Sequence, residues 1–216
     1  IQNNPEGLAQ SFLIGEDFIK DYPVALILGD NLFHGSGIVK EIREANSKTA
    51  RNTIFAYPVN DPQRYGIIEF NKQGEPINIV EKPKSPKSRH AITGLYFFDN
   101  SVLSKAKQVK PSKRGELEIT SIINMYLKEA NLKVELLGRG AAWFDTGTFD
   151  ALHQAGSYIR TIEKRQGLKI GYPEEISWRN GWISDENFYA IGKSLGNKEY
   201  LSYIKLLIQE KSLNIL

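Results

Sequence analysis

The sequence predicts an α/β protein with an open, mixed and mostly parallel sheet flanked by helices, and with a helical appendage at its C-terminal end. Short apolar runs typical of strands alternate with longer segments in which apolar residues recur at helical spacing. The run 24–28 is entirely apolar, as in a strand that is buried on both faces. From Pro173 onward the pattern is helical. We therefore expect an α/β core over residues 1–166 and an appendage over 167–216.

Helices are predicted in the core wherever apolar residues share one helical face, namely over 7–19, 38–46, 118–130 and 148–166. The segment 118–130 has the most regular pattern. In the last of these helices, Thr148 is suited to cap the first turn and Gly167 to end the helix. Its inward face is expected to consist of Phe149, Leu152, Ile159 and Ile162. The appendage is expected to hold two short helices and a terminal one.

Strands are predicted where β-branched and aromatic residues cluster between turn residues. After 24–28, these segments are 53–57, 66–70, 77–81, 91–98, 133–137 and 141–145. The turn Lys72-Gln-Gly74 predicts that 66–70 and 77–81 form a hairpin, because glycine adopts the positive φ that such turns need.

Composition argues against several classes of function. The 216 residues carry 28 Lys and Arg against 25 Asp and Glu, and this net charge of +3 is too small and too dispersed for binding a nucleic acid polymer. Cysteine is absent and there are three scattered histidines, which argues against disulfides and zinc. No apolar run approaches the roughly 18 residues of a membrane span. A metal ion here would be a hard cation on carboxylates.

Two aspartates stand at the ends of short apolar strands. Asp30 follows the run 24–28, and Asp145 ends the run 141–145. Ligands of α/β sheets bind at the carboxyl ends of strands, and Mg²⁺ commonly takes one or two protein carboxylates plus phosphate oxygens. For either residue alone, a turn or a helix cap is the alternative. Together, Asp30 and Asp145 predict a magnesium site.

A candidate phosphate and sugar site follows the second hairpin strand. In Glu81-Lys82-Pro83, the Lys82 ammonium is suited to a phosphate and Glu81 to sugar hydroxyls. The alternative is a surface ion pair, which is the commoner role of adjacent Glu and Lys. Before the hairpin, Tyr65 and Gly66 lie in a loop that could let backbone approach a ligand. A simple turn is the alternative there.

Two helix starts add weaker candidates. Arg114, before the helix 118–130, could reach a phosphate, whereas Glu116 and Glu118 are explained by the helix dipole. At the start of the helix 7–19, Gln2 presents both donors and acceptors to a base edge, and Gly7 next to Leu8 leaves room for a ring. Helix capping is the alternative for this second group.

Seven short segments occur in a distinctive order. They are 4–10 (Asn-Pro-Glu-Gly-Leu-Ala-Gln), 28–31 (Leu-Gly-Asp-Asn), 60–66 (Asn-Asp-Pro-Gln-Arg-Tyr-Gly), 81–83 (Glu-Lys-Pro), 93–96 (Thr-Gly-Leu-Tyr), 114–120 (Arg-Gly-Glu-Leu-Glu-Ile-Thr) and 143–147 (Trp-Phe-Asp-Thr-Gly). In this order they resemble the glucose-1-phosphate thymidylyltransferase family. The similarity runs from Gln2 to about Gly181, and more weakly to the end.

The resemblance implies a Rossmann-like nucleotide-diphospho-sugar transferase fold and a Mg²⁺-dependent enzyme. Members of the family join dTTP and glucose 1-phosphate into dTDP-glucose and release pyrophosphate. By motif, Asp30 and Asp145 would bind Mg²⁺, and Lys82 would hold the sugar phosphate with help from Arg114. The implied substrate-binding residues are Gln2 and Gly7 at thymine, Tyr65, Gly66, Glu81, Ile92 and Tyr96 in the sugar pocket, and Leu8 and Trp143.

The resemblance also implies an assembly and a pathway. Members of the family are typically homo-oligomers, dimers of dimers, and they feed dTDP-rhamnose and polysaccharide biosynthesis in the cytoplasm. They carry a second, regulatory nucleotide site, which would lie near Arg139, Gly140, Glu175 and Arg179 in this chain.

One family feature has no counterpart in this sequence. The family begins with a strand and a glycine-rich loop of the form G-G-x-G-T-R-L, followed by a catalytic lysine. By analogy with the family, and by the domain size that the fold requires, we expect this chain to lack roughly the first 80 residues of the domain and not to turn over unaided. Two alternatives stay open, namely a related sugar-1-phosphate uridylyl- or cytidylyltransferase and a non-catalytic nucleotide-sugar binding fragment.

Overall fold

The computed structural model describes residues 1–47 and 51–213. Its strands are β1 (Val24–Ile27), β2 (Asn31–Gly35), β3 (Asn52–Pro58), β4 (Gly66–Phe70), β5 (Pro76–Glu81), β6 (His90–Phe98), β7 (Leu132–Leu136) and β8 (Ala141–Asp145). Its helices are α1 (Gln10–Ile14), α2 (Glu16–Ile19), α3 (Ile38–Ala45), α4 (Ser101–Ala106), α5 (Ile119–Lys128), α6 (Phe149–Gln166), α7 (Pro173–Arg179), α8 (Asp185–Ser194) and α9 (Lys198–Ser212), with a 3₁₀ turn at Pro62–Arg64.

A mixed sheet of six strands forms the centre of the N-terminal part, in the order β5-β4-β6-β3-β7, with β1 also paired to β6. The predicted α/β class with a mixed sheet is therefore confirmed. The expected predominance of parallel strands is wrong for the described residues, where β3 and β7 form the one parallel pair of this sheet. The reason is that β4 and β5 are joined by a tight turn and β6 runs opposite to each strand beside it.

Strand β1 differs from the prediction that both of its faces are buried. Val24 and Leu26 pack against the core, whereas Ala25 and Ile27 face outward, and Ile27 is 59% exposed. Side chains alternate across a strand, so a strand covered on one face buries every second residue. An all-apolar run therefore does not by itself show that both faces are covered.

A separate two-stranded antiparallel ribbon joins β2 to β8, with Asn31 opposite Asp145 and Gly35 opposite Ala141. Strand β8 was predicted, but β2 was not. The ribbon brings the segment after β1 next to a strand more than a hundred positions later in the chain. It is the element that places Asp30 beside Asp145.

The first predicted helix is two short helices, α1 and α2, which meet at Gly15. Gly7 has a φ of +103°, a left-handed conformation that cannot continue a helix, so α1 begins at Gln10. Phe12 of α1 nevertheless packs into the core with α5, whose Ile122, Ile123 and Tyr126 are fully buried. The apolar pattern predicted the buried face correctly, and the glycines set where the helices begin and end.

The chain divides into two compact units, Ile1–Leu152 and His153–Leu216. The sequence-based division at residue 166 marks the end of α6 and stays a prediction. Helix α6 itself is confirmed, since Thr148 Oγ1 accepts from the Ala151 N–H at 3.2 Å and Gly167 follows with a φ of +72°. Of the four residues predicted to face inward, Phe149 and Leu152 are exposed, whereas Ile159 and Ile162 are half-buried. The inward face of α6 is instead centred on Ala155, its buried residue.

The second unit has a small aromatic core of its own, formed by Trp178, Phe188, Tyr200, Tyr203, Ile204 and Leu207. The Trp178 and Phe188 rings stack with their centroids 5.0 Å apart. The predicted pair of short helices and terminal helix is confirmed as α7, α8 and α9. Over the described part of the chain, no helix combines the length and the apolarity needed to cross a membrane.

Candidate active site

A cavity of about 270 Å³ opens in the first unit, where β1, β4, β5 and β8 end or begin and α5 starts. Most of the residues singled out from the sequence line it. The lining consists of Leu8, Leu28, Asp30, Asn31, Arg64, Tyr65, Gly66, Glu81, Lys82, Ile92, Gly94, Tyr96, Glu116, Glu118, Ile119, Thr120, Trp143 and Asp145. Segments that are far apart in the sequence thus meet at one place.

The carboxylates of Asp30 and Asp145 border the same space in this cavity. The N–H and the hydroxyl of Thr146 both donate to the Asp30 carbonyl oxygen, each at 2.8 Å, and tie the two loops together. A Cβ on Gly147 would lie 3.4 Å from Asp145 Oδ1 and 3.6 Å from Asp30 Oδ2. One oxygen of each carboxylate therefore lies within van der Waals range of a single point beside Gly147.

The donor chemistry of the two flanking groups suits a hard divalent cation. Both flanking groups are carboxylate oxygens, the ligands that Mg²⁺ prefers. Within residues 1–47 and 51–213, no group of three or more His, Cys, Asp or Glu side chains is placed to hold an ion. A cation here would therefore complete its shell with ligand or water oxygens, as Mg²⁺ does at nucleotide sites.

Glu81 and Lys82 enter the cavity where β5 ends. The Lys82 N–H donates to the Tyr65 carbonyl oxygen at 3.0 Å, which fixes the chain at this point. Lys82 has a φ of +41°, in the left-handed region that L-residues avoid. Burial raises the pKa of Glu81, and the nearby Glu118 carboxylate raises it further. The cavity thus holds Lys82, whose backbone is fixed, beside a carboxyl group whose pKa is raised.

One wall of the cavity is aromatic. The Tyr65 and Trp143 rings meet edge to face with centroids 5.3 Å apart. Tyr96 is buried, and this burial raises the pKa of its hydroxyl, so the group stays protonated. A Cβ on Gly66 would stand 2.8 Å from Thr120 Cγ2, so glycine there allows β4 to approach α5 closely. The wall offers flat apolar surface with few hydroxyl groups, which suits a sugar or base ring.

The exposed side chain of Arg114 reaches a group of carboxylates. Its guanidinium lies 2.6 Å from Glu116 Oε1, 3.4 Å from Glu81 Oε1 and 3.5 Å from Glu118 Oε1. Because three carboxylates surround it, Arg114 offsets the negative charge at this side of the cavity. A contact between Arg114 and a substrate phosphate stays a prediction.

Comparison with known proteins shows which family this chain belongs to. The model of the nucleotidyl transferase family matches residues 1–161. The glucose-1-phosphate thymidylyltransferase of Neisseria meningitidis is 46% identical over 97% of this chain and 73% of its own length. That of Mycolicibacterium smegmatis is 49% identical over the same shares. The chain belongs to the glucose-1-phosphate thymidylyltransferase family.

Solved structures agree with this family assignment. A Bacillus anthracis glucose-1-phosphate thymidylyltransferase in complex with sucrose superposes with a TM-score of 0.66 at 36% identity, over 79% of this chain. The chain spans 65% of the length of that structure. A UDP-glucose pyrophosphorylase in complex with UDP-glucose has a TM-score of 0.65 at 22% identity, which shows that the fold is shared. The fold is therefore that of the sugar nucleotidyltransferases.

The two residues that were predicted to contact thymine, Gln2 and Gly7, are not among the residues that line this cavity, whereas Leu8 is. The Gln2 side chain donates to the Gly7 carbonyl oxygen at 3.2 Å. A Cβ on Gly7 would stand 2.5 Å from the Leu117 backbone, so this glycine is explained by close packing. The thymine contacts of Gln2 and Gly7 stay predictions.

The residues that were predicted to form the family's regulatory site lie in different units. Gly140 precedes β8, and a Cβ there would stand 3.0 Å from Ser36 Oγ; Arg139 is its neighbour in the chain. In the second unit, the buried Glu175 carboxylate accepts from Arg179 Nε at 2.7 Å and from the Tyr203 hydroxyl. This network explains Glu175 and Arg179 structurally, and their regulatory role stays a prediction.

Sequence reasoning missed several residues that line the cavity, above all Asn31, Arg64 and Gly94. Arg64 forms an ion pair with Asp61 at 2.9 Å, and its Nη2 lies 3.9 Å from Asp145 Oδ2. Asn31 and Arg64 belong to the family segments 28–31 and 60–66, and Gly94 to 93–96, so the segments contained the signal. Their roles depend on contacts between elements, which the sequence does not display.

Proposed function

We propose that this protein transfers the thymidylyl group of dTTP to glucose 1-phosphate, forming dTDP-glucose and releasing pyrophosphate. The observation that carries the proposal is the cavity in which the Asp30 and Asp145 carboxylates border one space beside Glu81 and Lys82. Membership of the thymidylyltransferase family supports the choice of substrates.

The reaction is a displacement at phosphorus. A phosphate oxygen of glucose 1-phosphate attacks the α-phosphorus of dTTP, a new P–O bond forms, and the bond to the β-phosphate breaks with pyrophosphate as the leaving group. The attacking phosphate is already ionised near neutral pH, so no general base is needed. The protein contributes by positioning and by offsetting charge.

The chain's own residues divide this work. Asp30 and Asp145 would hold Mg²⁺, which when bound offsets the charge of the two phosphorylated substrates. Lys82 would bind the sugar phosphate, and Glu81 would accept hydrogen bonds from sugar hydroxyls. Tyr65, Trp143 and the buried Tyr96 would enclose the rings and exclude water. The proposal includes the family's assembly, a cytoplasmic dimer of dimers.

The test is pyrophosphate release from dTTP and glucose 1-phosphate, measured with the 216-residue chain and with a protein extended upstream in its reading frame. We expect turnover by the extended protein, with a preference for dTTP over UTP and CTP. Comparable rates with both proteins would refute the expectation that the 216-residue chain is inactive alone. Binding of dTDP-glucose without turnover by either protein would favour a binding module.

Within this assay, Asp145→Asn tests the metal site. It removes a negative oxygen ligand while preserving shape, so kcat should fall by about a hundredfold, which corresponds to about 2.7 kcal/mol of lost charge stabilisation. Asp17→Asn, an equivalent change in α2 outside the cavity, should leave kcat unchanged. A near-normal kcat of the Asp145 variant at saturating Mg²⁺ would refute the assignment.

A further inference from the structure

The side-chain amide of Asn31 connects three elements at the candidate metal site. Its Oδ1 accepts hydrogen bonds from the Gly94 N–H at 2.9 Å, on β6, and from Trp143 Nε1 at 2.6 Å, on β8. Its Nδ2 donates to Asp30 Oδ1 at 2.8 Å. Each of its three partners comes from a different part of the chain.

These contacts determine which way the amide points. Both Gly94 and Trp143 present N–H donors, so only the carbonyl oxygen of Asn31 can face them. The NH₂ group must then point toward Asp30. Rotating the amide by half a turn would place donors against donors and leave an oxygen facing a carboxylate. The orientation therefore follows from the partners.

The backbone is shaped to accommodate this amide. A Cβ on Gly94 would lie 2.6 Å from Asn31 Oδ1 and 2.7 Å from its Cγ, closer than side chains tolerate. Glycine at this position of β6 therefore makes room for Asn31. The Asn31 N–H also donates to the Leu28 carbonyl oxygen at 3.1 Å, which closes the turn that carries Asp30.

The consequence concerns the two oxygens of Asp30. Oδ1 is held by Asn31, whereas Oδ2 lies within 3.6 Å of the point where a Cβ on Gly147 would stand, in the space bordered by Asp145. An aspartate without this partner could rotate about its side-chain bonds and lose that orientation. This hydrogen bond thus holds the carboxylate with one oxygen toward Asn31 and the other toward the space that Asp145 borders.

We propose that Asn31 is a positioning residue that orients the Asp30 carboxylate for a divalent cation shared with Asp145. This inference rests on the proposed function, because it assumes that the two carboxylates hold a cation. Asn31 acts through Asp30, with Trp143 and Gly94 fixing its own orientation. Partners of metal ligands commonly contribute tenfold or more to metal affinity by such orientation.

The experiment measures Mn²⁺ binding to the 216-residue chain by the electron paramagnetic resonance signal of the free ion, since Mn²⁺ occupies the same oxygen sites as Mg²⁺. Asn31→Ala should weaken Mn²⁺ binding by about tenfold. Trp143→Phe removes one donor that fixes the amide but keeps the partner of Asp30, so its loss should be smaller. Asp145→Asn identifies the binding that belongs to this cavity.

Asn124→Ala is the matched control for a merely structural role. The Asn124 amide also joins two elements, accepting from the Ile79 N–H at 3.2 Å and donating to the Ile79 carbonyl oxygen at 2.8 Å, but it lies outside the cavity. Asn124→Ala should lower the melting temperature, which circular dichroism measures, and should leave the Mn²⁺ affinity unchanged. An equal loss of Mn²⁺ affinity in Asn124→Ala would overturn the inference.

The remaining outcomes separate the inference from the proposed function. Unchanged Mn²⁺ affinity in folded Asn31→Ala and Trp143→Phe would overturn the inference alone. If the wild-type chain shows no Mn²⁺ binding that Asp145→Asn removes, both the metal site and the role of Asn31 are refuted. Weakened Mn²⁺ binding in Asn31→Ala, together with no thymidylyl transfer by the extended protein, would refute the proposed function and support the inference.

Discussion

Lys82 adopts a backbone conformation that is found mainly at glycine residues. Its φ of +41° places the backbone in the left-handed region, at a cost of about 1 kcal/mol for an L-residue. The conformation occurs where β5 ends and the Lys82 N–H reaches the Tyr65 carbonyl oxygen. Strain of this kind persists where the surroundings fix the backbone, and it is common in ligand-binding sites.

Lys82→Gly should therefore be more stable than Lys82→Ala by about 1 kcal/mol, because glycine adopts the left-handed conformation without the Cβ penalty. Urea unfolding followed by circular dichroism measures the difference. Lys84, two positions later, is outside the left-handed region, so there the glycine variant should be the less stable one. The same order at both positions would contradict the role of strain at Lys82.

The raised pKa of Glu81 predicts how the stability of the protein depends on pH. Its pKa is raised in the folded state, first by burial and then by Glu118. The folded state therefore binds more protons than the unfolded state as pH rises from the ordinary Glu value toward the raised one, and stability falls through that window. Glu81→Gln removes this titration, so its stability relative to wild type should increase with pH across the window.

Unfolding free energies of both proteins from pH 4 to pH 8 test this expectation. Glu118→Gln supplies the control, because it removes the second cause of the raised pKa while keeping Glu81. It should shift the fall in stability to lower pH. A constant difference between Glu81→Gln and wild type at all pH values would show that the folded protein does not perturb Glu81.

At the scale of elements, sequence patterns predicted what depends on local chemistry. The helix α5 follows from its regular apolar face, and the hairpin of β4 and β5 follows from the turn at Gly74, whose φ is +80°. Asp30, Glu81 and Asp145 were found because they stand at strand ends, where ligands of α/β folds bind. Family segments then suggested that they act together.

The same patterns missed what depends on distant partners. Strand β2 reads Asn-Leu-Phe-His-Gly, which lacks a clear alternation, and it becomes a strand by pairing with β8. The bridge made by Asn31 joins residues 63 and 112 positions away. No local signal can show such contacts. The metal site was therefore predictable as a pair of carboxylates, but the group that orients them was not.

At the scale of the whole molecule, the candidate site and the second aromatic core belong to different units of the chain. Every residue that lines the cavity belongs to Ile1–Leu152. The unit His153–Leu216 packs around Phe188, which is fully buried and stacks on Trp178. Stability and ligand binding should therefore respond differently to changes in the second core.

Phe188→Ala tests this separation, because loss of a fully buried ring costs roughly 3–5 kcal/mol. Stability measured by urea unfolding should fall by that amount, while calorimetric affinity for dTDP-glucose, measured where the variant is folded, should equal that of wild type. Phe12→Ala removes a ring of the same size from the cluster that contains Ile92 and Tyr96 of the cavity, so it should weaken both. If Phe188→Ala and Phe12→Ala lost dTDP-glucose affinity equally, the second unit would contribute to binding. The affinity could not then be ascribed to the first unit alone.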